Sequence, residues 1–354
     1  MPQTLNKYAK AGDPLADELI AELAQQGLLQ GNLQQQIATL IAADIPVARH
    51  WQEQTQTVPD WVDWQQIDQG RLLFLQHVPM AIVSFVLGTL LQVYAPPGSA
   101  RVLIHTGRLR QDVLRRLYET ATMVNAVLSP QGMRVGGKGH QAVLQVRLLH
   151  ARVRFHVLNS GRWPVDTLGQ PINQLQMALT ALGFSLQIVD GLRHLGVPVS
   201  EEQAQAYQHL WRYANWLQGV DADLQCDSLA AEATLYQQLA PLLLQPDENS
   251  RILSHSMHQH LAGQSPFFLP SSGVQAISRY LLDTQLADAY QLPRHAGWQA
   301  ALRVLHGLNR ITGWRLVLPG LGRLEAQLGA AFFERLIAWG LASQPADYGF
   351  KSAN

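Results

Sequence analysis

Apolar residues recur at alternating spacings of three and four positions through most of this chain, the interval that places them on one face of a helix. Short alternating segments at hairpin spacing, the mark of a sheet, are absent from the pattern. It predicts an all-α fold. Helices are expected in "DPLADELIAELAQQGLL", as a single element over "LQQQIATLIAADIPVARHW", from about Leu109 to Leu128, and from near Gln141 to just before "NSGRWP". Ser200 and Gln203 stand at capping-box spacing after Gly196 and Pro198, which starts another helix reaching about Gly219. Three further helical stretches follow in "QAISRYLLDTQLADAY", "WQAALRVLHGLNRITGW" and "EAQLGAAFFERLIAWGLAS". No linker is long enough to separate a second domain, so residues 1–354 read as one.

One stretch breaks the amphipathic rule. Residues 72–100, "LLFLQHVPMAIVSFVLGTLLQVYAPPGSA", carry no Asp, Glu, Lys or Arg and are apolar enough to suggest a membrane span. Pro79, Ser84, Gly88, Thr89 and Gln92 argue instead for a helix buried on all sides within a large core. Charge narrows the partners. Twenty-six basic and 26 acidic residues give a formal net charge of zero without a long run of either sign, so no nucleic-acid footprint is present. Cys226 is the sole cysteine, which excludes intramolecular disulfides, thiolate zinc sites and all-cysteine iron–sulfur ligation. The N-terminus has no uninterrupted apolar core of a secretory signal, and a cytoplasmic location is the expectation.

Candidate chemistry lies where the stripes admit polar residues. On the helix containing "LQVRLLHARVRFHVL", Val143, Val146, His150, Val153 and Val157 share a face, with Arg147 and Arg154 on its border. The preceding helix has a stripe of Val113, Leu117, Thr120, Val124 and Val127, with Arg116 on its flank. The intervening "SPQGMRVGGKGH" cannot continue a helix, so the two form an antiparallel hairpin. Thr120 and His150 would then face each other, each roughly 12 Å from the turn at the helical rise. A haem between the helices would give these polar groups partners: His150 as iron ligand, Arg147 or Arg154 on propionates, Thr120 and Arg116 as donors towards dioxygen. The plain alternative is a hydrogen-bonded core histidine flanked by solvated arginines.

The segment "GRLRQDVLRRLYETATMVNAVLSPQGMRVGGKGHQAVLQVRLLHARVR", with "PINQLQMALTALGFS" and "HLWRYANWLQGV", resembles the catalytic domain shared by latex clearing proteins, which are rubber oxygenases, and MpaB-type oxygenases. An arginine, a threonine four residues on and a histidine thirty residues later mark the haem surroundings of latex clearing proteins, and Arg116, Thr120 and His150 match them. The resemblance covers residues 70–285, leaving 1–69 as an N-terminal helical extension and 286–354 as C-terminal helices. It implies a haem b protein with His150 as axial iron ligand, dioxygen as co-substrate and a small apolar, unsaturated substrate of isoprenoid type. Two positions depart from the pattern. Glu119 stands where rubber-cleaving enzymes have a lysine beside the threonine, and Ala100 where they have a glutamate. Glu119 or His105 are candidates for proton chemistry, against the plainer readings of a surface glutamate and an ordinary helix histidine.

Three other motifs are weaker. "GMRVGGKG" imitates a phosphate loop, but Gly139 replaces its Ser or Thr and a helix precedes it. His255, His258 and His260 include an i, i+3 pair without a neighbouring carboxylate or thiolate. "PSSGVQAIS" lacks the glycines of a serine nucleophile elbow. The rival functions are a haem carrier or sensor without turnover, and a membrane-associated helical protein whose histidine is structural.

Overall fold

The computed structural model describes residues 3–105, 113–312, 320–342 and 346, and every regular element among them is helical. Asp13 caps the helix Pro14–Gln25 by accepting from the Ala16 amide at 3.3 Å. Leu15, Leu19, Ile20 and Leu23 form its inward stripe and pack on Ile37, Leu40, Val47 and Trp51. The single helix expected over "LQQQIATLIAADIPVARHW" is two, Leu33–Ala42 and Pro46–Gln56. Pro46 drives Ile45 out of the helical region, and Asp44 takes the left-handed conformation that reverses the chain (φ 62°).

The uncharged stretch is a bent wall inside the core. Helix Trp64–Gln76 meets the next segment at 88°, and Pro79 opens that segment as Val78–Ser84, followed by a π turn at Phe85–Thr89 and a last helical turn at Leu90–Tyr94. All five residues of the π turn are buried. Among the described residues no single helix is long and apolar enough to cross a membrane. Gly70 lets Trp64–Gln76 lie directly on Glu201–Leu217, since a Cβ there would run into the Ala206 carbonyl. The Glu201–Leu217 helix starts at the expected capping box, with Ser200 Oγ accepting from the Gln203 amide at 3.2 Å and Gln203 Oε1 from the Ser200 amide at 3.0 Å.

The hairpin at the centre is formed by Val113–Leu128, the threonine helix, and Lys138–Asn159, the histidine helix. The expected start at Leu109 lies outside the described residues. The second helix begins three residues earlier than Gln141, because Gly139 fits where any side chain would collide: its Cβ would stand 2.8 Å from the Ala126 carbonyl and 2.8 Å from Val127 Cα. Gly139, which stands where a phosphate loop has its Ser or Thr, thus serves a close helix crossing. Helices Gln174–Phe184 and Leu186–His194 close another side of the core. The helical stretch "QAISRYLLDTQLADAY" is divided between Ser271–Leu281 and Thr284–Ala289, because Asp283 caps the second through the Leu286 amide at 2.8 Å. Ala296–Thr312 and Leu321–Gly340 are the last two of the described helices.

Candidate functional site: a cavity between the threonine and histidine helices

A cavity of about 290 Å3 opens between the hairpin helices, the bent wall and the helices Gln174–Phe184 and Glu201–Leu217. The threonine helix presents Arg116, Leu117, Glu119, Thr120 and Met123 to it. The histidine helix presents Val143, Val146, Leu149, His150 and Val153. The two polar intrusions read from the stripes therefore meet the same space. They are not level, however: His150 lies twelve residues from the start of its helix and Thr120 eight from the end of its own. At 1.5 Å per residue the histidine is set about 6 Å deeper from the turn.

His150 opens on the cavity while the protein surrounds its ring. Burial, reinforced by the nearby Arg154 and Arg116 guanidinium groups, pushes its pKa down to about 4, so the imidazole is neutral at pH 7. Its Nδ1 is buried without a hydrogen-bond partner. A core histidine of the ordinary kind looks like His258, whose Nε2 pairs with Ser278 Oγ at 2.9 Å. Thr120 spends its hydroxyl hydrogen on the Arg116 carbonyl at 3.0 Å, which leaves the oxygen's lone pairs toward other donors. Tyr94 adds a phenol on the cavity wall, held neutral because burial raises its pKa to about 12.

Glu119 is buried, lines the cavity, and pairs with Arg115 Nε at 3.1 Å, so the surface reading does not hold for it. The equivalent of the glutamate twenty residues before the threonine, Ala100, is buried in the helix Pro97–His105 and brings no carboxylate. His105 ends that helix, and its side chain lies outside the described residues.

Arg147 and Arg154 go elsewhere, and neither lines the cavity. Arg147 Nε and Nη2 grip the two oxygens of Asp13 at 2.5 and 2.9 Å, and its Nη1 donates to the Leu217 carbonyl at 3.2 Å. Arg154 Nε donates to Asp17 at 2.7 Å and its Nη1 to the Ile172 carbonyl at 3.2 Å. The first pair is buried on both sides and the second joins a buried guanidinium to a partly exposed Asp17; together they fasten the helix Pro14–Gln25 and its cap to the histidine helix, and the propionate role expected from their border position is not what this geometry provides. Gly219, in the left-handed region at φ 77°, makes room for the first pair, since a Cβ there would strike Asp13 and Arg147.

Polar residues that the stripes did not single out also face the cavity. Gln176 and Gln218 line it, and each has a buried amide oxygen without a partner. Asn215 joins them from "HLWRYANWLQGV". A long amide on a helix reads as surface in sequence, and only the packing turns these inward. Phe184 stacks on Trp211 (centroids 4.7 Å apart) to form the apolar end of the space. The histidine run of "LSHSMHQHL" divides: His258 points inward, while His255 and His260 are exposed, and no group of three or more His, Cys, Asp or Glu able to hold a metal occurs among the described residues.

The arrangement is a largely apolar chamber that brings together a neutral imidazole, a guanidinium, the Glu119 carboxylate, several hydroxyls including that of Thr120, and three side-chain amides. Residues 73–311 match the family described as the catalytic domain of the ER-bound oxygenase mpaB/B' and rubber oxygenase. The chain is 23% identical over 249 residues to Rubber oxygenase from Streptomyces sp. (strain K30), covering 70% of this chain and 60% of that protein. It thus spans less than two thirds of that relative. In fold it is similar to a latex clearing protein in the closed state, with a TM-score of 0.70 and 18% identity over 93% of this chain and 90% of the other. The family match runs through the bent wall, the hairpin, the cavity and most of the helices behind them, and on that match the chain belongs to the MpaB and rubber oxygenase catalytic-domain family.

Proposed function

We propose that this chain is a haem b-dependent oxygenase acting on a small apolar, unsaturated substrate of isoprenoid or lipid-like type. The observation that carries the reading is His150: a neutral imidazole deep in an apolar cavity, with a buried nitrogen lacking a partner, across from Thr120 and Arg116. The ring lacks the hydrogen bond that fixes an ordinary core histidine, and the cavity beside it is the space from which a metal would meet the imidazole. Iron takes the neutral form of histidine, and the depressed pKa keeps that form available well below pH 7.

The residues present fit the group. His150 would hold the iron, and Gln176, Gln218, Asn215 and Arg116 are among the polar residues of the cavity able to receive the macrocycle's carboxylates. When bound, haem supplies the redox chemistry that activates dioxygen. Arg116 brings a fixed positive charge to the same space, where low dielectric strengthens its effect on developing negative charge. Glu119, held by Arg115, is the carboxylate available for moving a proton at the cavity wall. Leu90, Val93, Val102 and Met177 exclude water and receive an apolar substrate.

The test is the absorption spectrum of the purified protein, oxidised and reduced, beside His150→Ala. The expected result is a haem spectrum in the wild type that is lost or strongly shifted in the variant, and an unchanged spectrum and occupancy would refute the ligand assignment. Oxygen uptake by the reduced protein with unsaturated terpenoids or lipids separates turnover from a carrier or sensor role. Oxygen binding with no consumption of any such substrate would favour the carrier.

A further inference from the structure

The threonine helix is a partition between two hollows. One side is the cavity with Arg116 and Thr120, and on the other Leu114, Tyr118, Ala121 and Val124 line a smaller annex of about 50 Å3. Four residues, Phe85, Leu117, Phe184 and Trp211, border both spaces. Phe85 and Phe184 lie 5.1 Å apart between centroids, so the partition at this point is aromatic edge and face. The annex walls are almost wholly hydrocarbon, and the Tyr118 hydroxyl at its edge is already committed to the Ser265 carbonyl at 3.3 Å. At its far end Ser265, Pro266 and Phe267 are partly exposed, which brings the annex close to the surface away from the hairpin turn.

We propose that this annex is a binding site for a small apolar gas, and that it holds dioxygen next to the cavity. Size and chemistry select the occupant. An apolar hollow stays dry, and one of about 150 Å3 takes up benzene or xenon. A hollow of about 50 Å3 is a third of that, which suits a diatomic molecule and leaves no room for an isoprenoid chain. Water would gain almost no hydrogen bonds there, so dioxygen does not compete with solvent. Leu117 stands about one turn before Thr120 on the same face, and both line the main cavity with Arg116, so a molecule crossing the aromatic partition enters the space that these residues share. The gas site itself stands on the geometry of the annex, and its service to oxygen chemistry rests on the function proposed above.

The experiment uses xenon as the probe. Crystals of the full chain under xenon pressure are expected to show density in the annex, and xenon titration followed by NMR is expected to weaken by about tenfold in Ala121→Leu, which fills the space. Should that variant fail to fold, Val124→Ile narrows the same space more gently. Xenon found in the main cavity but never in the annex, or a soaked alkane running from the annex through the partition, would overturn the proposal. On haem-loaded protein the oxygen binding rate after flash photolysis is expected to fall by about three- to tenfold in Ala121→Leu with an unchanged absorption spectrum. Equal rates would overturn the oxygen-supply role. If the protein takes up no haem, the functional proposal fails while xenon occupancy still decides the gas site.

Discussion

The two sides of the histidine helix treat buried polarity in opposite ways. Toward the N-terminal helices, Arg147 and Arg154 are sunk in the interior and gripped by Asp13, Asp17 and two backbone carbonyls. On the cavity side His150, Gln176 and Gln218 line the space, and each has one buried side-chain atom, Nδ1 or the amide oxygen, without a hydrogen-bond partner. A buried charge costs far more than a buried neutral group when it lacks a counter-ion, so a helix that ion-pairs both buried guanidinium groups on one face and turns a neutral imidazole to a cavity on the other separates framework from site. Residue type alone does not make that distinction, since the arginines are the more conspicuous charges.

The largest break in this comparison comes from the paired side. Asp13→Ala strands a buried guanidinium and is expected to lower unfolding stability by about 3–5 kcal/mol, read from chemical denaturation. A loss under 1 kcal/mol would mean that the pair is ornamental. Acid comes next. The unfolded chain protonates histidine near pH 6.5, whereas folded His150 resists until about pH 4, so its contribution is intact above pH 6.5 and drains away as pH falls toward 4. The loss is expected to approach 3 kcal/mol, roughly the value of the shift between the two states. His258, also held down to about 4 by burial, adds a similar slope, so the informative measurement is the difference between wild type and His150→Leu across that range.

On the unpaired side, replacement should help the empty protein. His150→Leu is expected to raise the stability of the haem-free chain at pH 7 by about 1–2 kcal/mol, since it removes an unsatisfied buried nitrogen from an apolar wall. Gln218→Met should give the smallest effect, a gain of up to about 1 kcal/mol accompanied by weaker haem retention. Were both variants to destabilise the protein as strongly as Asp13→Ala, the cavity face would be framework too.

The hairpin and its two inward residues were legible because a period of three and four over sixteen or more residues leaves little freedom in which side chains share a face. The partners of the arginines were hidden for a reason of distance: Asp13 and Asp17 lie 134 and 137 residues away in the chain, and no local pattern connects them. Punctuation was available but outvoted. Pro46 and Asp283 stand inside apolar rhythms that continue on both sides, and in each case the breaker and the cap prevailed over the rhythm. Gln176 and Gln218 gave no signal, because an amide facing a hollow has the same spacing as one facing water. The bend at His77 likewise depends on what the two halves pack against, with Pro79 its local hint.

The long reach of the two ion pairs also bears on how this chain assembles. Asp13 and Asp17 leave the ribosome well before Arg147 and Arg154 exist, during which time the leucine stripe of Pro14–Gln25 can already collapse onto Ile37, Leu40 and Trp51. The early helices would wait as a small preassembled cluster with two hydrated carboxylates on its open side. Docking of the histidine helix then buries Asp13, draws both guanidinium groups onto the cluster together, and ties the start of the chain to the helix that carries His150.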